Sequence, residues 1–350
     1  EEDDEPMRSH RLWLVPVSAL RLGCLLMALT CGCASMPGTR VVGYMPAWKG
    51  LRQTVENTDL EPLTHINIAF LNPDTSGAFV EGREPLCMRG ATAQELDHLV
   101  ERAHAADVRV LVSLGGGLIP ECSGDWEALL VPERRSEMVE ALVHFAETFE
   151  LDGIDVDLEG RLLTAIDEAG NYTPFVEQLS AALQPSGKLV TCATASYTGG
   201  MIPVESIPFF DFVNIMSYDA IGPSWGQAGT EHSTYEMSQR HVEIWQQRGL
   251  PPDKMVLGVP FYGYGFGEGY ESSYTFGDIL KTFGSDAAGQ DLIGEACDGC
   301  SYVTYNGVAT IRRKTRLALE KGSGVMIWEM SQDAPGDDNL LKVIQTEIER

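Results

Sequence analysis

Positive charge is scarce in this chain. Its 350 residues include 25 Lys and Arg against 51 Asp and Glu, which gives a formal net charge of −26 at pH 7. Nucleic acids and anionic membrane surfaces are bound through a basic footprint, which this composition does not provide. We therefore expect no nucleic-acid partner, and a neutral ligand is easier to accommodate than a polyanionic one.

Metal-ligand spacing and a nucleotide-binding fingerprint are missing as well. The seven histidines are scattered, and the segment CDGC (297–300) has no second pair of ligands nearby to complete a zinc site. The glycine-rich segment SLGGG (113–117) lacks the GxGxxG spacing of dinucleotide-binding turns. We therefore expect neither a metal nor a cofactor.

The most apolar stretch lies at the N-terminus. Residues 1–36 contain basic residues, an apolar run broken by Arg21, and small residues near the end, an arrangement typical of a secretory signal. We therefore expect a secreted or extracytoplasmic protein. Two alternatives stay open: Cys33 would carry a lipid that attaches the chain to a membrane, or the segment is only an apolar tail.

Five of the eight cysteines lie after this leader. An oxidising compartment would permit two disulfides, Cys87–Cys122 and Cys297–Cys300, and would leave Cys192 as a buried thiol. Cys87 follows the second predicted strand and Cys122 follows the third. The two loops should therefore be neighbours at one face of the fold.

The rest of the chain alternates short apolar strands with amphipathic helical patterns. Eight such units in roughly 310 residues indicate an α/β fold, a closed (β/α)8 TIM barrel, with a doubly wound open sheet as the alternative. We expect one barrel domain over residues 40–350, with a short α+β insertion at about 267–307 between strands 7 and 8. The predicted strands are Val41–Met45, His65–Leu71, Val108–Leu114, Gly153–Glu159, Lys188–Thr194, Asp211–Tyr218, Met255–Phe261 and Gly324–Met330. The predicted helices are Thr92–Ala106, Pro132–Glu150, Pro174–Leu183, Ser233–Arg248, Ala309–Lys321 and Asp337–Glu349.

The segment LDGIDVDLEG (151–160) carries the strongest chemical signal. It alternates apolar residues with Asp155, Asp157 and Glu159, which is the period of a β-strand. In a barrel the apolar face packs against the helices, so the three acids point inward and Glu159 reaches the end of the strand where barrel active sites lie. Close, buried carboxyls raise one another's pKa, which is the environment of a general acid near neutral pH.

The same segment resembles the DGxDxDxE signature of the glycoside hydrolase family 18 chitinases. Other motifs of that family follow in order, from about Val41 to the C-terminus: GYMPAW (43–48), SLGG (113–116), MSYD (216–219), GVPFYG (258–263) and GVMIWE (324–329). The resemblance implies a secreted chitinase that cuts β-1,4 bonds between N-acetylglucosamine units of chitin or chito-oligosaccharides. The chain is expected to act as a monomer.

The resemblance also implies catalytic roles. Glu159 would protonate the glycosidic oxygen while the substrate's own N-acetyl oxygen attacks the anomeric carbon, and would then act as the base for water, with retention of configuration. Asp157 would orient the acetamide and share a proton with Asp155. Tyr218 and Asp219 would hydrogen-bond the acetamide and the sugar.

Aromatic residues are expected to bind the apolar faces of the sugar rings. By resemblance, Trp328 forms the floor of the central subsite. Trp48 and Trp225 would extend this platform or pack within their loops. The other expected substrate-binding residues are Tyr44, Phe70, Met216, Tyr262, Gly115 and Gly116.

Two other functions stay open at this point. Enzymes of the same family that act on N-glycans or cell walls, as endo-β-N-acetylglucosaminidases or glucosaminidases, have the same acids. A non-catalytic chitin-binding lectin is the third reading, although such relatives usually lose the acid that Glu159 provides here. The family usually has an aromatic residue where Gly160 stands, and the segment RLLTAIDEAGN (161–171) is expected to reshape the loop beside Glu159. The short insertion favours an open, endo-acting cleft.

Overall fold

The fold is a closed parallel β-barrel, seen in a computed structural model that describes residues 38–350. The leader expected at residues 1–36, with Cys33, lies outside the described residues. The barrel strands follow one another around the barrel in chain order, and the first strand pairs with both the second and the eighth. The predicted (β/α)8 barrel is therefore confirmed. In chain order its strands are Arg40–Pro46, His65–Leu71, Arg109–Gly116, Gly153–Leu158, Leu189–Thr194, Phe212–Ile215, Met255–Pro260 and Gly324–Trp328.

The predicted strands all have a counterpart, but the sixth is shorter than expected. It ends at Ile215 instead of Tyr218. Asp219 has a φ of +62°, in the left-handed region that a strand cannot include. The chain therefore turns out of the sheet, which presents Tyr218 and Asp219 at the barrel mouth.

Helices connect the strands and cover the barrel. Several begin at a threonine whose hydroxyl accepts a main-chain N–H of the first turn, as Thr92, Thr234 and Thr275 do. The six predicted helices correspond to Ala93–His104, Arg135–Thr148, Tyr172–Leu183, Tyr235–Gln247, Val308–Lys321 and Leu340–Ile348. Further α-helices in the described part of the chain are Leu51–Asn57, Trp126–Leu129, Gly160–Glu168 and Phe276–Phe283.

The segment after Glu159 is helical. Gly160–Glu168 buries Leu163 and Ile166 against the barrel, and the Leu163 N–H donates to the Glu159 carbonyl. Leu163 and Ile166 are three residues apart, so they lie on one face of the helix, and this face packs into the apolar core. The segment beside the acid is therefore a helix that begins at the very next residue, and its difference from the usual loop of the family stays a prediction.

The two faces of the barrel strands differ sharply in chemistry. On the fourth strand, Ile154, Val156 and Leu158 join the large apolar core between strands and helices. The inner face carries polar groups that are fully buried. They are Asn67, Ser113, Asp155, Thr191 and Asn214.

The insertion between the seventh and eighth barrel strands is α+β, as expected, but it begins earlier than residue 267. Its four-stranded antiparallel sheet has the order Ser273–Thr275, Tyr262–Phe266, Tyr302–Thr304, Leu292–Gly294. The barrel strand ends at Pro260, and from Tyr262 the chain pairs with antiparallel strands of the insertion instead of parallel strands of the barrel. The insertion sheet therefore starts at Tyr262. Residues of the insertion therefore adjoin the barrel mouth.

Both expected disulfides are present. Cys87–Cys122 joins the loops after the second and third barrel strands, with a Cα–Cα distance of 5.7 Å. Cys297–Cys300 closes a tight turn in the insertion, with Cα atoms 5.1 Å apart. Cys192 is a buried free thiol on the fifth barrel strand. In the described region, residues 38–350, no helix has the length and hydropathy needed to cross a membrane.

The cysteine pattern predicts a thiol count. After denaturation of the folded protein without reductant, one thiol should be titrated among the five cysteines beyond the leader, and peptide mapping should assign it to Cys192. After reduction all five should react. Detection of Cys87 or Cys122 as free thiols in protein exported to an oxidising compartment would contradict this assignment.

Candidate active site

The acids of the fourth barrel strand occupy three different environments. Asp155 and Asp157 point into the barrel and are buried, and Glu159 follows the strand at the mouth, where it is partly buried. The alternation of the strand sends every second side chain inward, which sets this row. The three carboxyls therefore lie at increasing height, from the barrel centre to the cleft.

Asp155 is held by donors from four other strands. The Tyr44 hydroxyl and the Ser113 hydroxyl donate to its Oδ2 at 2.6 and 2.7 Å. The Thr191 hydroxyl and the Asn214 amide donate to its Oδ1 at 2.5 and 3.4 Å. Burial raises the pKa of Asp155, and these hydrogen bonds act against that shift because they stabilise the charged form.

Asp157 is buried with much less support. Its Oδ1 has no hydrogen-bond partner. Burial, then repulsion from Glu159 and from Asp155, raises the pKa of Asp157 well above its ordinary value. Both oxygens of Asp155 accept donors from other residues, and the proton shared between Asp155 and Asp157 that the resemblance implies stays a prediction. Asp157 is therefore an acid with a free acceptor atom.

Glu159 is the titratable group that faces the cleft. Burial and, next, repulsion from Asp219 raise the pKa of the Glu159 carboxyl to about 7. A Cβ atom at Gly117 would lie 3.2 Å from Glu159 Oε1, so the glycine leaves the carboxyl its room. The Glu159 carboxyl therefore keeps its proton to a higher pH than an ordinary glutamate, as a general acid requires.

Tyr218, Asp219 and Tyr262 form a second group at the mouth. The Tyr262 hydroxyl donates to Asp219 Oδ1 at 2.5 Å, and the Tyr218 and Tyr262 rings are 6.2 Å apart in an edge-to-face arrangement. The Tyr218 hydroxyl makes a weak contact of 3.7 Å with the Met326 sulfur. Burial, then the negative charge of Asp219, raises the pKa of both tyrosines, so both keep their hydroxyl protons as donors.

Trp328 ends the eighth barrel strand among other aromatic rings. Its ring stacks on Phe70 at 5.6 Å with an interplanar angle of 18°, and lies 5.4 Å from Tyr44. Phe70 continues this row to Trp48 at 5.9 Å. Met216 packs against the same cluster inside the barrel mouth. The expected aromatic floor is therefore assembled from the first, second and eighth strands.

Gly115 and Gly116 face protein atoms. Both have a positive φ, of 82° and 87°. A Cβ atom at Gly115 would lie 2.8 Å from the Asp157 carbonyl oxygen, and one at Gly116 would lie 2.5 Å from the Phe70 ring. The glycines thus let the third strand approach its neighbours, and contact with a substrate stays a prediction.

Exposed aromatic residues surround the mouth. Trp48 is 39% exposed and Trp225 is 46% exposed, and the Trp225 indole N–H donates to the Asp219 carbonyl at 3.0 Å. The sequence reading missed Tyr197, which is 60% exposed on the loop after the fifth strand. Burial and, next, the charge of Glu159 raise the pKa of the Tyr197 hydroxyl. Its position directly after a barrel strand was the available signal.

No metal centre competes with this arrangement in the described region. Residues 38–350 contain no group of three or more His, Cys, Asp or Glu side chains that could hold a metal ion. The chemistry available from the side chains is therefore proton transfer by carboxyl groups next to an aromatic surface. A parallel barrel with inward acids at the carboxyl ends of its strands is the class of site that glycosidases use.

Comparison with known proteins gives the family. The model of the glycosyl hydrolases family 18 matches residues 40–333, so the chain belongs to that family. The structure is similar to the chitinase ChiB from Flavobacterium johnsoniae, with 34% identity, a TM-score of 0.76, and coverage of 89% of this chain and 94% of that one. It is also similar to a chitinase from Bacteroides thetaiotaomicron, with 25% identity, a TM-score of 0.74, and coverage of 89% and 96%.

Several curated relatives are named chitinases, and others are named chitinase-like proteins. Chitinase A1 of Niallia circulans is 24% identical over 90% of this chain and 60% of its own length. A chitinase-like effector of Moniliophthora roreri is 25% identical over 73% of this chain. The chain spans 66% of that effector and 16% of the probable chitinase 10 of Drosophila melanogaster. Family membership therefore does not by itself establish activity.

The raised pKa of Glu159 predicts how stability depends on pH. Its folded-state pKa of about 7 exceeds the ordinary value of 4.5, so its contribution to stability is present below pH 4.5 and is lost as the pH rises through 7. Glutamine does not ionise, so Glu159→Gln removes this loss of stability at high pH. The variant should gain on the order of 1–3 kcal/mol in free energy of unfolding relative to wild type between pH 4 and pH 8.

Denaturant unfolding at several pH values checks this, with Glu61→Gln as the control. Glu61 is exposed on a turn before the second strand. The difference in free energy of unfolding between Glu61→Gln and wild type should therefore be the same at every pH tested. A flat difference for Glu159→Gln would mean that the Glu159 carboxyl is solvated in the folded protein.

Proposed function

We propose that this protein is an active, retaining, endo-acting chitinase that hydrolyses β-1,4 N-acetylglucosamine linkages by substrate-assisted catalysis. One observation carries the proposal: Glu159, with its raised pKa, stands at the mouth directly above Asp157, a buried acid with a free acceptor oxygen. A proton donor and an acceptor for an amide are the two groups that the mechanism needs.

The proposed reaction begins with Glu159 protonated. Glu159 donates its proton to the glycosidic oxygen as the bond to the anomeric carbon breaks, and the carbonyl oxygen of the substrate's N-acetyl group attacks that carbon. Asp157 Oδ1, which has no partner in the protein, accepts the amide N–H and stabilises the positive charge of the cyclic intermediate. Glu159, now ionised, takes a proton from water. The water oxygen bonds to the anomeric carbon from the face that the leaving group vacated, as the bond from that carbon to the N-acetyl oxygen breaks, and the two inversions give retention.

The residues around the acids would fix the sugar. The Tyr218 hydroxyl remains protonated and makes only a weak contact with the Met326 sulfur, so it is a donor for the acetamide carbonyl. The Tyr262 hydroxyl donates its proton to Asp219 and holds that carboxylate near the sugar. Trp328 would support the ring whose acetamide attacks, because indole binds the apolar face of a sugar. Tyr44, Phe70 and Met216 pack beside Trp328 and would hold the indole in place.

A chitin-binding protein without activity is the second candidate. It is favoured by the similarity to a chitinase-like effector and to the human chitinase-3-like protein 2, which is 22% identical over 79% of this chain. The complete acid row supports the enzyme instead. Buried carboxyls are costly, and a binding protein gains nothing from an acid whose pKa is close to 7.

We further propose that the protein acts outside the cytoplasm. The two disulfides support this, because such bonds persist in oxidising compartments. The leader predicted from the sequence agrees with it.

The proposal is tested by substrate profiling of wild type and Glu159→Gln. Wild type should cleave N-acetylglucosamine oligomers with β-anomeric products at early times by NMR, and should leave fully deacetylated oligomers uncut. Glu159→Gln should lose about 10²–10⁴-fold or more in rate while it still binds the oligomer. Wild-type turnover in the variant would exclude the mechanism.

The same experiment separates the alternative substrates. An N-glycoprotein and peptidoglycan are tested beside the oligomers, and faster release from either would replace chitin by an endo-β-N-acetylglucosaminidase or cell-wall substrate. Binding of chito-oligosaccharides without cleavage of any substrate by wild type would support the lectin. Cleavage of glucosamine oligomers would contradict the role of the N-acetyl group.

Trp328→Ala is expected to lower kcat/KM on chito-oligosaccharides by more than the roughly 1–3 kcal/mol that ring stacking alone supplies. The additional loss follows because the indole also sets the position of the reacting sugar. Trp48→Ala, at the exposed end of the same aromatic row, is the control and should have the smaller effect.

The fold should survive Trp328→Ala, because the side chain is only partly buried at the mouth. Thermal unfolding and kinetics are measured together. Loss of folding would make Trp328 structural, and unchanged cleavage by a folded variant would place the central subsite elsewhere.

A further inference from the structure

His232 is a buried side chain without an assigned role. It has no exposed surface, and neither ring nitrogen has a hydrogen-bond partner. Buried polar atoms without a partner are uncommon in folded proteins, because their lost hydration is not replaced. If this side chain only filled space, a phenylalanine would be more favourable, because its ring buries no polar atom. The imidazole therefore calls for a functional explanation.

The main chain around His232 is tied to the residues that flank Asp219. The His232 carbonyl accepts the Ala220 N–H at 3.0 Å. The Ser233 hydroxyl donates to the Ser217 carbonyl at 2.7 Å. The loop after the sixth barrel strand therefore folds back on itself. Its residues 232 and 233 hydrogen-bond to residues 220 and 217, on either side of Asp219.

Residues of the insertion and of the helix that follows it form hydrogen bonds with His232 and Ser233. The His232 N–H donates to the Thr304 hydroxyl at 3.2 Å, and the Asn306 side-chain amide donates to the Ser233 carbonyl at 2.6 Å. Lys314, which is fully buried, donates to the Ser233 carbonyl and hydroxyl at 2.9 and 2.6 Å. Three buried donors and acceptors therefore fix the backbone of 232–233, and the imidazole has little freedom to move.

The fixed imidazole faces Asp219. Its Nδ1 is 3.8 Å from Asp219 Oδ1, the oxygen that also accepts the Tyr262 hydroxyl. The ring centroid is 5.2 Å from that of Tyr262 and 5.4 Å from that of Tyr264. These contacts place the imidazole, two phenol rings and one carboxylate in a single cluster at the edge of the catalytic mouth.

We propose that His232 is a positioning residue whose buried ring fixes the carboxylate of Asp219 within electrostatic reach of Glu159. This rests on the function proposed above, in which Glu159 is the proton donor. Asp219 is partly exposed and sits in a left-handed turn, and its carboxylate interacts with the hydroxyls of Tyr262 and Tyr264 on one side and with the His232 ring on another. The contact distance of 3.8 Å allows the imidazole to donate to Asp219 after a small rotation of the carboxylate.

The charge state of His232 fits this role. Its pKa is lowered by burial, with Asp219 acting in the opposite direction and Lys314 acting with burial. The ring is therefore neutral at pH 7 and leaves the negative charge of Asp219 uncompensated. That charge repels the ionised form of Glu159 and helps to keep it protonated. A cation at position 232 would cancel the effect.

The test uses His232→Phe and His232→Asn. Phenylalanine keeps the ring packing against Tyr262 and Tyr264 but has no nitrogen, whereas the asparagine amide can place a donor near the position of Nδ1. His241→Phe is the matched control, since His241 is a second histidine with a buried partnerless Nδ1, on the helix Tyr235–Gln247. Its pKa is lowered by burial and then by Lys314, and its electrostatic partners do not include Asp219.

The readout is the pH profile of kcat/KM on chito-oligosaccharides. For His232→Phe the alkaline limb, which reports Glu159, should move to lower pH by roughly half a unit, a fraction of the 1–3 units that a full neighbouring charge produces. Asp157 and Tyr197 also face Glu159 and are unchanged in every variant. His232→Asn should restore at least part of the shift, and His241→Phe should keep the wild-type limb.

A wild-type alkaline limb in a folded His232→Phe, or an equal loss of rate at all pH values, overturns the proposal and leaves His232 structural. The crystal structure of His232→Phe gives a readout that does not need activity: Asp219 should lose its contact with the Tyr262 hydroxyl. An unchanged Asp219 overturns the proposal even if no substrate is cleaved. Wild-type rates in Glu159→Gln would instead refute the function on which the proposal rests.

Discussion

The buried row of carboxyl groups on the fourth strand is the constraint on which the rest of the site depends. Ionised carboxyls inside a protein are unfavourable unless hydrogen bonds replace their hydration. Asp155 obtains such bonds from Tyr44, Ser113, Thr191 and Asn214, which stand on the first, third, fifth and sixth strands. Only a closed barrel brings those strands around one side chain. Burial of the Asp155 carboxylate therefore requires both the polar side chains of the barrel interior and the closure of the barrel.

In the proposed mechanism, the three acids differ in function because they differ in the hydrogen bonds and burial that surround them. Asp155 has four donors, Asp157 has an oxygen without a partner, and Glu159 looks into the cleft with a pKa near 7. The chemical type of the side chains is almost the same, so the environments alone separate a stabilised acceptor, an acid open to substrate, and a proton donor. Titratable groups whose surroundings push their pKa values upward to different extents are a common basis for acid and base assignments.

The surrounding loops act as a scaffold for this row. The Cys87–Cys122 disulfide joins the loops after the second and third strands, close to the chain that carries Phe70. On the other side, Thr304, Asn306 and Lys314 hold the return of the Asp219 loop. The insertion thus has a structural task at the catalytic mouth beyond forming a wall of the cleft. It fixes the backbone from which His232 reaches Asp219.

The sequence by itself determined the features that depend on local periodicity. Alternation along residues 153–159 gave the inward row of acids, and repeated strand and helix patterns gave the eight barrel strands and six of the helices. The cysteine positions predicted Cys87–Cys122, because loops after adjacent parallel strands lie side by side, and they predicted Cys297–Cys300 as a local pair within the segment CDGC. The family resemblance rested on motifs that each fall at the end of a barrel strand, and it is confirmed.

The tertiary structure decided what depends on residues meeting across the fold. The donors around Asp155, the Asp157 oxygen without a partner, and the contact between Asp219 and Tyr262 follow from which side chains the closed barrel and its loops bring together. His232 meets Asp219 only because the insertion and a buried lysine fix the path of the loop between them. Periodicity specifies the face on which a side chain lies, whereas distances between faces are set by packing, and packing requires the whole chain.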